Sequence, residues 1–117
     1  MLKSDELKDI VIDALEELKA NDISVMEVGA LTTITEYMIT ASGTSDRHVK
    51  SLADNVVRIS KEHGERPLGV EGEREGEWVL VDLRDVIVHV MLPRVRDFYQ
   101  LEKLWGMPAV KGAQASD

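Results

Sequence analysis

Asp82 and Asp85 stand three positions apart in "EWVLVDLRDVIVHVML" (77–92), the most apolar run of the chain, and "ASGTSDRH" (41–48) gathers a glycine, a threonine and two serines. Residues of these types can serve phosphoryl transfer. A strand that leads through Gly43, Thr44 and Ser45 into a helix presents free backbone amides, where a phosphate can bind. Carboxylates converging nearby would hold magnesium beside it. In such a nucleotidyltransferase Ser45 would lie near phosphate, and Glu71, Glu73 or Asp82 near the metal. The same loop reads equally as an ordinary helix N-cap. No Walker loop and no nucleophile-elbow serine accompanies it. His48, His63 and His89 are scattered without metal-ligand spacing. The chain has no cysteine, which excludes disulfides, thiolate metal sites and cysteine nucleophiles and fits a reducing cytoplasm. The expectation is therefore no catalytic residue, no metal and no cofactor, with a magnesium-dependent nucleotidyltransferase as the alternative.

The other chemistry open to these residues is recognition. From Glu62 to Asp85 eight acids meet three arginines, a local charge of −5 within a chain whose formal charge is −8. Such a field repels phosphate backbones, so little direct nucleic-acid contact is expected, and it favours a basic partner. Glu73 to Glu77 read as a solvated turn. Glu71, Asp82 and Asp85 instead surround Trp78, and aromatic residues dominate interface hot spots.

The elements that must position these groups follow from periodicity. Leu7, Ile10, Val11, Ala14, Leu15 and Leu18 recur at helical spacing, so residues 4–20 read as an amphipathic helix with Ser4 as N-cap. "DISVMEV" is a strand, "GALTTI" a turn region and "EYMITASG" a second strand. Thr44 or Ser45 caps a second helix whose apolar face includes Val49, Leu52, Ala53 and Val56, and Gly64 ends it. "RPLGVEG" is a third strand, "EREGE" a charged turn, and the opening run supplies two more strands. Pro93 starts a last helix through Trp105, closed by Gly106 and Pro108. The order α-β-β-α-β-β-β-α in 117 residues implies a single α/β (α+β) domain, one mixed sheet packed by helices. The domain is assigned to residues 1–106 and a flexible tail to 107–117. The amino terminus has neither a signal-peptide pattern nor an anchor, and no apolar run reaches the ~20 residues that span a bilayer.

A two-residue turn at Leu83-Arg84 would pair Asp82 with Asp85, Val81 with Val86, Leu80 with Ile87, Val79 with Val88 and Trp78 with His89. Alternation then puts Val79, Val81, Val86, Val88 and Val90 on one face and Trp78, Leu80, Ile87, His89 and Met91 on the other. The facing aspartates would repel by up to about 1 kcal/mol. Leu-Arg suits such a turn poorly, and a longer loop would shift the pairs.

Four segments, "ITEYMITASGTSDRHVKSLADNV", "PLGVEGE", "WVLVDLRDVIVHVM" and "FYQLEKLW", resemble in order and spacing the Iojap family, also called the ribosomal silencing factor (RsfS) family, from about residue 5 to residue 105. The resemblance implies a nucleotidyltransferase-like fold without catalysis and a homodimer in the cytoplasm. It implies binding to the large ribosomal subunit through a basic protein of its intersubunit face, number fourteen of the large-subunit series. Binding there would block joining with the small subunit and repress translation. Carried onto this chain, the partner-binding surface comprises Glu71, Trp78, Leu80, Asp82, Asp85, His89, Met91, Tyr99 and Glu102. The family pattern has a glycine between the two aspartates, and Arg84 departs from it. Active relatives of the wider fold carry paired acids on the strand after the helix; "PLGVEGE" has no acid pair one residue apart before Glu71 and Glu73.

Overall fold

The computed structural model describes residues 2–99, with side chains through Arg96. Eight elements follow the expected order: α1 (Ser4–Glu17), β1 (Asn21–Glu27), β2 (Tyr37–Ser42), α2 (Asp46–Glu62), β3 (Gly69–Glu71), β4 (Trp78–Asp82), β5 (Val86–Met91) and α3 (Pro93–Tyr99). The continuation of α3 to Trp105, its stop at Gly106 and Pro108, and the 107–117 tail lie outside the described residues.

The strands form one sheet in the order β1-β2-β5-β4-β3. Only β2 and β5 run parallel; every other neighbouring pair is antiparallel. A parallel pair cannot be joined by a tight turn, and the connection between these two carries α2, β3 and β4. One sheet face holds Tyr37, Ile39, Ala41 and the valines of β4 and β5, and it buries them against Leu7, Val11 and Leu15 of α1 and Val49, Leu52 and Val56 of α2. Each such valine or leucine contributes roughly 1.5–3 kcal/mol by leaving water. Asn55 ties the two helices. Its Nδ2 donates to Ala14 O and Glu17 Oε1, both at 2.9 Å, so a buried polar side chain satisfies a carbonyl at the end of α1.

Two helix boundaries differ from expectation. Lys3, not Ser4, is the N-cap of α1, because the Glu6 carboxylate reaches back to accept the Lys3 N–H at 3.0 Å. The helix also ends at Glu17 instead of residue 20, with Lys19 turned to φ 64°. The second helix keeps both expected ends. Ser45 Oγ accepts from His48 N–H, and Gly64 takes φ 84° with Gly64 N–H on Lys61 O and Glu65 N–H on Ser60 O. Those two bonds make a Schellman cap.

The hairpin register is a correction. Asp82 pairs with Ile87, Val81 with Val88, Leu80 with His89, Val79 with Val90 and Trp78 with Met91. Leu83 N–H donates to Val86 O at 2.9 Å, so the turn residues are Arg84 and Asp85, and the two aspartates do not face each other. Leu83 is buried at 3% exposure because it continues the inward row of Val79 and Val81. Because the pairing moved by two positions, the side-chain alternation survived: the valine and tryptophan faces are the expected ones.

Candidate functional site

On the face away from α1 and α2, cross-strand pairing aligns Glu71, Leu80, His89, Thr40 and Ser24 in one row and Trp78, Met91 and Ser42 in the next. Asp82 belongs to a third row with Ile87, Met38 and Met26. The sheet therefore brings Glu71, Trp78, Leu80, Asp82, His89 and Met91 together. Their depths differ. Glu71 is exposed and Trp78, Leu80 and Asp82 are half-buried, whereas His89 and Met91 are buried. Asp85 sits in the turn at the edge of this surface. Tyr99 is the last residue of α3, its side chain beyond those described, and Glu102 lies outside the described residues.

Trp78 is held from below. Its indole N–H donates to His89 Nδ1 at 2.9 Å, the ring centroids are 5.8 Å apart, and the planes are tilted by 48°. With Nδ1 accepting, the hydrogen of the His89 imidazole belongs on Nε2. Val95 of α3 packs with Met91, and Trp78 and Leu92 complete that cluster. The large ring is thus held among these residues and is half-buried.

The loop before α2 has a different arrangement. Gly43 N–H donates to Met91 O, Thr44 N–H to His48 Nδ1, Arg47 N–H to Asp46 Oδ1 and His48 N–H to Ser45 Oγ. Four of the amides of this loop and first turn are thus already engaged within the chain. A cavity of about 490 Å³ adjoins Thr44 and Ser45, and the carboxylates lining it belong to Asp46, Glu75 and Glu77, the last paired with Arg94 at 3.1 Å. Asp82 lies at the opposite end of β4 from Trp78, and Glu71, on the edge strand β3, pairs with Leu80. Neither Glu71, Glu73 nor Asp82 is among the residues lining that cavity, and among the described residues no group of three metal-ligating side chains could hold an ion.

A family model described as "Ribosomal silencing factor during starvation" matches residues 2–117. The chain belongs to the ribosomal silencing factor family. It is 50% identical over 101 residues to the Ribosomal silencing factor RsfS of Chromobacterium violaceum, covering 86% of this chain and 83% of that one. A crystal structure of a protein from the same organism superposes with a TM-score of 0.90 at 45% identity, covering 97% of this chain and 95% of the other. The mouse protein named Mitochondrial assembly of ribosomal large subunit protein 1 is 33% identical over 100 residues, covering 83% of this chain but 44% of its own length. Ribosomal silencing factors are ribosome-associated translation regulators. No helix among the described residues is long and apolar enough to cross a membrane.

Two features of this silencing factor escaped sequence reasoning. Arg96 of α3 donates to Thr40 Oγ1 at 2.9 Å, to Ser42 Oγ at 3.2 Å and to Asp22 O, pinning the helix across the tryptophan face. Thr40 and Ser42 alternate with apolar residues on a buried strand, a pattern that demands a polar partner from elsewhere. The second is Tyr37, whose hydroxyl donates to Asp5 Oδ1 at 2.7 Å under the Lys8 ammonium. The hydrogen bond to Asp5, followed by burial and the charges of Asp5 and Glu27, pushes its phenol up to about 12. Arg84 carries φ 76°, with Asp85 N–H donating to Leu83 O across it. A glycine would suit that backbone better than the arginine found there.

Proposed function

We propose that this chain represses translation by docking its Trp78 face on a basic protein of the large subunit's intersubunit side, where it occupies space needed by the small subunit. The observation that carries this reading is the Trp78–His89 hydrogen bond at 2.9 Å: it fixes a half-exposed aromatic ring on a sheet face rimmed by Glu71 and Asp82. A pre-oriented aromatic anchor loses little freedom on binding, and an acidic rim steers a basic partner. The name of the mouse relative supports the large subunit as the target. Number fourteen of the large-subunit proteins is the proposed contact, with Asp85, Tyr99 and Glu102 at the margin of the footprint. The protein acts in the cytoplasm as a non-catalytic homodimer.

Replacing Trp78 by Ala should weaken large-subunit binding by about 2 kcal/mol or more, the range of an interface hot spot. Co-sedimentation with separated subunits, together with a subunit-joining assay, reads this directly. Full binding by a folded Trp78→Ala protein removes the docking face. Monomers appearing before any loss of ribosome binding would assign the ring to the dimer contact instead.

A further inference from the structure

At the hairpin tip, away from Trp78, Lys61, Arg66 and Arg84 line a cavity of about 680 Å³ together with Gly64, Glu65 and Leu83. All three cations are exposed, and none of them enters an ion pair among the described residues. Three neighbouring carboxylates have other partners, while that of Asp85 adjoins Arg84 in the turn. Glu65 Oε2 accepts from Leu2 N–H at 3.0 Å, Glu62 pairs with Arg58 at 2.9 Å, and Asp82 Oδ1 accepts from Arg84 N–H at 2.9 Å. Three carbonyls at the end of α2, those of Ile59, Ser60 and Lys61, are already bonded at the helix end and its Gly64 cap. Within a chain of formal charge −8, this concave spot is lined by three cations and one carboxylate, Glu65, a local excess of positive charge.

We infer that this cavity grips the phosphodiester backbone of ribosomal RNA beside the docked protein. The inference rests on the proposed docking of the Trp78 face. Three long, exposed side chains around an open cavity would hold a small free anion weakly. A polymer of phosphates held nearby by a second contact presents the same charges at high effective concentration. Arginine and lysine match phosphate oxygens, Arg66 and Arg84 through planar forks and Lys61 as a point charge. The net excess of acids in the chain disfavours broad RNA contact, so the repulsion expected from net charge and a local phosphate grip are compatible.

The test is large-subunit binding across a salt series for the wild type, for Lys61→Gln/Arg66→Gln and for Trp78→Ala. The double variant should bind more weakly at low salt and flatten the slope of log affinity against log salt by about 1 per cation removed. Because the chain has no cysteine of its own, Lys61→Cys can carry a benzophenone at a single place; its adduct should be on RNA. An unchanged slope in the double variant, or adducts confined to ribosomal protein, overturns the inference even where Trp78→Ala abolishes binding. Full binding by Trp78→Ala together with a flattened slope in the double variant would leave the cavity in place and remove the docking face. A wild-type protein that does not bind large subunits removes both.

Discussion

Gly72 and Gly64 both adopt positive φ, 87° and 84°, but only Gly72 is crowded, and this contrast allows the strain of the turn before β4 to be measured. A Cβ at Gly64 would meet nothing within 4 Å, whereas a Cβ at Gly72 would lie 2.0 Å from Trp78 O and 3.1 Å from Trp78 C. Gly64→Ala therefore reports the left-handed backbone alone, a loss of about 1–2 kcal/mol. Gly72→Ala adds a clash with main chain, which cannot rotate away as a side chain would. To reach even 3.0 Å, below which real Cβ contacts essentially never fall, the turn must open by at least 1.0 Å at Trp78, which carries the proposed docking ring. Overpacking of this kind costs about 1–3 kcal/mol, so the total should be roughly 2–5 kcal/mol. Urea denaturation followed by circular dichroism at equal protein concentration gives both values. Large-subunit binding by the folded fraction should also suffer in Gly72→Ala and not in Gly64→Ala. Equal destabilisation by the two substitutions would refute the contact between the turn and Trp78, and with it the role of Gly72 in placing the ring.

Arg84→Gly should stabilise the protein by roughly 0.5 kcal/mol, the relief of left-handed strain less the extra freedom of glycine in the unfolded chain; a lower urea midpoint would contradict the φ of 76°. Ser60 Oγ is buried with no hydrogen-bond partner among the described residues, so Ser60→Ala should be neutral or gain up to about 1 kcal/mol in the same assay, and a clear loss would reveal a partner. The Tyr37 phenol stands above its ordinary value of 10.0, near 12, so the folded state holds this proton more tightly than the unfolded state. Its contribution is complete below pH 10 and fades as the pH rises towards 12. The stability gap between wild type and Tyr37→Phe should therefore close over that window, and a gap constant with pH would deny the Asp5 hydrogen bond its part in the shift.

Element order and the two sheet faces were legible because alternation and helical spacing are local, and each strand carries its own inward row. Register was not. The decisive residue was Leu83, assigned to the turn although Val79, Val81 and Leu83 already continue one inward row, and its burial moves the turn to Arg84 and Asp85. The facing aspartates disappeared with that shift, while the grouping of Glu71, Trp78, Leu80, Asp82, His89 and Met91 on one face survived it because parity did. Depth was the harder property to read. His89 interrupts a row of valines and is itself buried, so its part is to hold the tryptophan from underneath. Arg96 went unnoticed because its partners, Thr40 and Ser42, lie more than fifty positions earlier, and no local pattern links residues so far apart.

The single parallel pair, β2 with β5, has a further consequence for the nascent chain. α1, β1, β2 and α2 are complete by residue 62, and the remaining four elements all follow Gly64, yet the two halves share the sheet only along that one pair of strands. While the polypeptide is being made, the inner edge of β2 has no neighbour until residues 86–91 have been added. An unpaired edge of this kind recruits foreign strands, and a contact so distant in sequence closes slowly. The hazard of aggregation is thus concentrated in the half-made protein, and it ends when β5 slots into the middle of the sheet.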